Sequence, residues 1–143
     1  MRCIRYMQQL AAVAAVGTLA SFAPQAIAQM QEVALSGANE VPAVQSGASG
    51  TASVTIGADH SVTAKVVAKG MTATASHIHE AASGANGPVI VPFVKTGDNT
   101  FESSPGAKLT DAQYESYKAG KLYVNVHSAA HPGGEIRGQL AAK

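Results

Sequence analysis

Four of the five histidines fall in two short segments, and imidazole is the side chain best suited to hold a transition metal or move a proton near neutral pH. The first segment is Ser76-His77-Ile78-His79-Glu80. In an extended chain, alternation sends His77 and His79 to one face and Ile78 to the other. Residues two apart on a strand lie roughly 6.5–7 Å from each other, a span that two imidazoles can close upon a single ion. The second segment is Leu122-Tyr123-Val124-Asn125-Val126-His127, where Leu122, Val124 and Val126 form an apolar face and His127 ends the opposite one. His131 follows in the loop Ser128-Ala129-Ala130-His131-Pro132-Gly133-Gly134. His77, His79, His127 and His131 therefore make a candidate all-nitrogen ligand set. Without thiolates or clustered carboxylates, such a set favours copper, with zinc second. A lone histidine on a strand is ordinarily a solvated polar residue; it is the pairing of His-x-His with a second histidine segment that points to a metal. His60 reads as a turn residue.

Two other residues have a place in such a site. In Gly134-Glu135-Ile136-Arg137-Gly138-Gln139-Leu140, Ile136 and Leu140 face one way while Glu135, Arg137 and Gln139 share the other face. Arg137 is expected either to draw an anion towards the metal or to form an ion pair with Glu135 or Glu80. Glu40, in Asn39-Glu40-Val41-Pro42, is expected either to accept a hydrogen bond from a ligand imidazole or to make a strand-end contact.

These residues need rigid strands beneath them. The chain has 143 residues. It opens with Arg2 and Arg5, a mostly apolar run over 10–23, and a small-x-small site at Ala26-Ile27-Ala28, the pattern of an export signal cleaved after Ala28. Residues 1–28 are read as the signal and 29–143 as the mature domain. The apolar run is too short and too interrupted for a transmembrane span of about 20 residues, so a periplasmic or secreted protein is expected. The mature part carries eight Lys and Arg against nine Asp and Glu, a net charge of −1, which excludes a basic nucleic-acid binder. The single cysteine, Cys3, lies in the signal, so thiol catalysis, Zn–Cys sites and disulfides are excluded from the mature chain.

Within residues 29–143, twenty alanines and five aromatics, with no Trp, call for a core of small and β-branched side chains. Period-2 alternation punctuated by turn residues predicts strands near 31–36, 50–57, 61–69, 73–80, 88–94, 99–103, 121–127 and 134–141, an all-β sandwich or barrel. One short helix is predicted to start at Thr110 or Asp111 and stop at Gly120. Val54, Ile56, Val66, Ile78, Val124, Val126, Ile136 and Leu140 are expected to face inward.

The segments Leu35-Ser36-Gly37-Ala38-Asn39-Glu40-Val41-Pro42, Gly50-Thr51-Ala52, Ser76-His77-Ile78-His79, Gly87-Pro88-Val89, and Tyr123 to Leu140 closely resemble the CHRD domain, named after chordin. The likeness covers essentially the whole mature chain and implies an extracellular setting. A weaker resemblance is to copper/zinc superoxide dismutase, on His77, His79, His127 and Arg137. It implies a copper site, but this chain lacks that family's cysteines and His-rich zinc loop. Alternation and resemblance together give the expected fold: a Greek-key antiparallel β-sandwich of about eight strands with one short helix. Three functions follow: a mononuclear copper-type site that stores or buffers metal, a metal-free module recognising a protein partner through loops or a sheet edge, or a dismutase-like redox enzyme. In the first, His131 closes the site as a fourth ligand.

Overall fold

The computed structural model describes residues 28–142; Arg2, Arg5, Cys3 and the remainder of the expected signal lie outside them. Eight strands form in the order β1 (Met30–Ser36), β2 (Ser49–Ile56), β3 (Val62–Lys69), β4 (Ala73–Glu80), β5 (Val89–Gly97), β6 (Thr100–Ser103), β7 (Leu122–Ser128) and β8 (Ile136–Gln139). One α-helix, α1 (Asp111–Lys118), lies between β6 and β7, and a single 3-10 turn (Gly37–Asn39) follows β1. Every predicted strand is present; the last is shorter than expected because Gly134, at φ +126, and Glu135 belong to the loop before it.

Burial alternates along the strands as the sequence requires: β3 runs buried, exposed, buried through most of its length. The inward set is confirmed, with Val54, Ile56, Val66, Ile78, Val124, Val126, Ile136 and Leu140 all in one buried cluster. Ala52, Ala64, Ala68 and Ala73 fill the space between them. α1 begins where its capping residues dictate. The Gln113 backbone N–H donates to Thr110 Oγ1 and the Thr110 N–H donates to Gln113 Oε1, at 3.2 and 2.9 Å. It ends before Gly120, whose φ of +70 an L-residue would resist, and it lays Tyr117 onto the core.

All strand pairs are antiparallel, in the spatial order β1-β2-β3-β6-β5-β4-β7-β8. The hairpin-connected run β4, β5, β6 is followed by β7 returning beside β4, which is a Greek-key arrangement. The expected sandwich needs one correction: the sheet closes into a barrel. β1 pairs with β2 along its length and meets β8 on its other side, Ser36 opposite Arg137. Two features permit the closure. The interior is lined by small side chains, so eight strands can wrap around it without a void. Gly138 lets β1 approach β8 closely, since a Cβ there would fall 2.5 Å from Val33 Cγ1 and 2.7 Å from Ala34 O. The remainder of this seam is bridged by a side chain. Gln31 Nε2 donates to Tyr117 Oη at 2.8 Å, and Gln31 Oε1 accepts from the Ala141 N–H at 2.9 Å.

Candidate metal centre

The outer faces of β4, β7 and β8 are polar, and the register aligns them in rows. His79 stands opposite Tyr123 and Tyr123 opposite Gln139; His77 stands opposite Asn125 and Asn125 opposite Arg137. Loops 37–48, 81–88 and 129–135 contribute atoms that fold over this face. Tyr123, Asn125 and Arg137 are consequently as buried as the core, although they point away from it.

On this face His77, His79 and His127 converge, with one nitrogen from each lying within 4.8 Å of the others. The hydrogen bonds fix which nitrogens are free. His79 Nδ1 lies 2.9 Å from Gly87 O and His127 Nδ1 lies 2.9 Å from Pro132 O. A carbonyl only accepts, so both Nδ1 atoms carry the proton and both Nε2 atoms offer a lone pair. His127 Nε2 lies 3.0 Å from His77 Nδ1, which donates to it in the metal-free protein. His79 Nε2 is fully buried with no hydrogen-bond partner. A buried lone pair costs free energy unless something fills it, and beside two further imidazole nitrogens a metal ion meets that need. The residues present therefore fit a mononuclear ion held by His77, His79 and His127.

The electrostatics agree with this donor set. Burial, then the neighbouring His127 and His79, push His77 down to about 4. Burial likewise lowers His79, against the opposing effect of its hydrogen bond to Gly87. Both rings are thus neutral, the form that ligates, in neutral solution. His77 and His127 each keep some exposed surface, so the centre is open on their side.

The other expected site residues are placed as follows. His131 stands outside the three-histidine cluster; its backbone closes the loop, with the N–H donating to Ser128 Oγ at 3.1 Å and the carbonyl accepting from the Gly134 N–H at 3.0 Å. His60 sits in the turn before β3 at φ +68, stacked on Tyr114. Arg137 is 1% exposed, and its guanidinium lies 3.4 Å from the centre of the Tyr123 ring. His79 stacks on the same ring at 4.9 Å and 10°. Because β4 and β8 flank β7, Tyr123 lies between His79 and Arg137. Neither expected carboxylate partner reaches Arg137: Glu135 accepts from Ser46 Oγ, and Glu80 from Ser116 Oγ. Glu40 is 7% exposed, and burial raises it to about 7 against the pull of Arg137. The imidazole N–H groups it was expected to receive are taken by Gly87 O and Pro132 O instead.

Sequence reasoning missed Tyr123, Asn125, Gly87 and Gly134. Asn125 is 2% exposed, and its Oδ1 has no hydrogen-bond partner, although the side chain lies near enough to His79 to favour its protonation slightly. Gly134 makes room for the polar layer, since a Cβ there would fall 2.6 Å from Glu40 Oε1 and 2.7 Å from Asn125 Nδ2. Alternation alone puts Tyr123 and Asn125 on the face of His127, a signal that was available.

Residues 32–140 match the family model described as CHRD domain. No curated protein and no solved structure matches the chain.

Proposed function

The chain belongs to the CHRD domain family, and from that premise we propose that it is an exported protein binding one copper-type ion through His79 Nε2, His127 Nε2 and His77 Nδ1, the His77 proton moving to its Nε2 as the ion replaces the hydrogen bond between the two rings. The observation carrying this reading is the buried, unpartnered Nε2 of His79, aimed by a backbone carbonyl at its other nitrogen. Neutral imidazoles suit copper first and zinc second. Three histidine ligands would leave a bound ion accessible to a further ligand, through which it could be passed on, as storage or buffering requires. Export is supported by the Ala26-Ile27-Ala28 site that follows an apolar run. Among the described residues no helix is long and apolar enough to cross a membrane.

The test is calorimetric titration of chelator-stripped protein with Cu(II) and with Zn(II), together with metal analysis of protein recovered from the periplasm of an expression host. One equivalent of copper, bound more tightly than zinc, is the expected result. Copper binding that survives His77→Ala/His79→Ala unchanged would remove the proposed centre.

A further inference from the structure

A second site lies on the far side of Tyr123 from the histidines. Between loop residues 38–41 and 83–84 is a cavity of about 290 Å³ lined by Asn39, Glu40, Ser83, Arg137 and Gln139, among others. Arg137 is a buried cation with only neutral hydrogen-bond acceptors: Asn86 Oδ1 at 3.2 Å, Ala82 O at 3.3 Å and Gln139 Oε1 at 3.4 Å. These bonds are long for a guanidinium and use three of its five N–H groups. Removing such a charge from water costs several kcal/mol unless an anion compensates it. The one carboxyl on the same cavity, Glu40, lies outside ion-pair range and has a buried oxygen with no partner. Burial raises that carboxyl to about 7, so in mildly acidic solution it is protonated, leaves the guanidinium uncompensated and gives the cavity a second donor.

We infer that this cavity binds a small oxyanion, of the carboxylate or phosphate type, through the Arg137 guanidinium and the Glu40 carboxyl. The planar fork of arginine matches two oxygens of such an ion, and the cavity has room for a few heavy atoms beyond them. The Tyr123 ring behind Arg137 holds the fork flat. Ala38, Ser83 and Gly84 form an exposed rim through which a small ion enters. The inference does not depend on a metal, because none of the three clustered histidines lines the cavity.

The experiment uses chelator-stripped full-length mature protein, titrated with acetate, with inorganic phosphate and with chloride at constant ionic strength, and followed by amide chemical shifts. Saturable one-to-one binding of acetate or phosphate is expected, with shifts centred on residues 38–41, 83–86 and 137. Whichever saturates at lower concentration identifies the anion type. Arg137→Lys, which keeps the charge but loses the fork, should weaken that binding by about tenfold or more. Ser83→Phe, at the exposed rim, should block the cavity and leave Cu(II) titration unchanged, so it reports on this site even if Arg137 variants fold poorly. Acetate and phosphate acting no differently from chloride, or binding Ser83→Phe as well as wild type, would overturn the inference.

Discussion

The two faces of β4, β7 and β8 are both withdrawn from water, yet they are built on opposite terms. Inside, Ile78, Val124, Val126 and Ile136 are fully buried in one apolar cluster. Such burial contributes roughly 1.5–3 kcal/mol per large side chain. Outside, the same strands bury His79, Asn125 and Arg137 beneath loops, and among the described residues all three buried side-chain atoms without a partner belong to this layer or to Glu40 above it. Each unpaired group costs about 1–3 kcal/mol. The inner face holds the fold together, and the outer face spends part of that stability on keeping donors and acceptors available.

The largest effect separating the faces is on metal affinity. His77→Ala/His79→Ala removes two of three ligands, and Cu(II) affinity should fall by far more than the roughly 10–100-fold typical of losing a supporting residue. Calorimetry reads this directly, while the apo protein should still unfold cooperatively, having lost the His79 contacts with Tyr123 and Gly87 but none of the apolar core. Ile78→Ala, between those histidines but on the other face, should do the reverse. It should cost about 3 kcal/mol in denaturant unfolding, with Cu(II) still bound by the folded protein. A metal affinity that collapsed equally in both variants would mean that the two faces are not separable.

Next comes Glu40→Gln. The folded-state pKa of Glu40 is raised from 4.5 to about 7, so its contribution to stability is present below about 4.5 and is lost as pH rises through 7. The variant should match wild type at low pH and exceed it by about 1–2 kcal/mol at mildly alkaline pH. His77 has the opposite sign. With its pKa lowered from 6.5 to about 4, its contribution is complete above 6.5 and is lost as pH falls towards 4. Between these limits the two slopes oppose each other, and removing Glu40 should expose the histidine slope in urea melts of the apo protein. If wild type and variant show the same pH profile, the burial assigned to Glu40 is not felt as an ionisation cost. The smallest effect belongs to Asn125→Leu. Exchanging an amide whose buried oxygen has no partner for an apolar group of similar size should be neutral or stabilise by less than about 1 kcal/mol. A loss of several kcal/mol would show that Asn125 supports the fold.

The inner face was legible in the sequence because alternation is a local property: each of the eight residues expected inside is there. The convergence of His77, His79 and His127 was legible for the same reason, since two share one face of a strand and the third ends the polar face of another. Barrel closure was not, because it rests on contacts between chain ends far apart in sequence, Ser36 with Arg137 and Gln31 with Ala141. The buried outer layer was hidden too. A polar residue opposite an apolar face reads as solvated, and only the loops that carry Gly87, Pro132 and Gly134 turn Asn125 and Arg137 into interior residues.

The seam between β1 and β8 has a consequence for how the molecule moves. One register pair joins these strands, and the residues before Ser36 are held on that side by the Gln31 amide and by packing on Gly138. Every other junction of the barrel has at least three pairs. Local opening follows the fewest hydrogen bonds, so this seam parts first, and native-state deuterium uptake should begin at β8, which keeps four pairs to β7 where β1 keeps seven to β2. The β4–β7 ladder that carries the three histidines is set off from this weak line by the β7–β8 pairing, and its seven register pairs keep their protection until global unfolding.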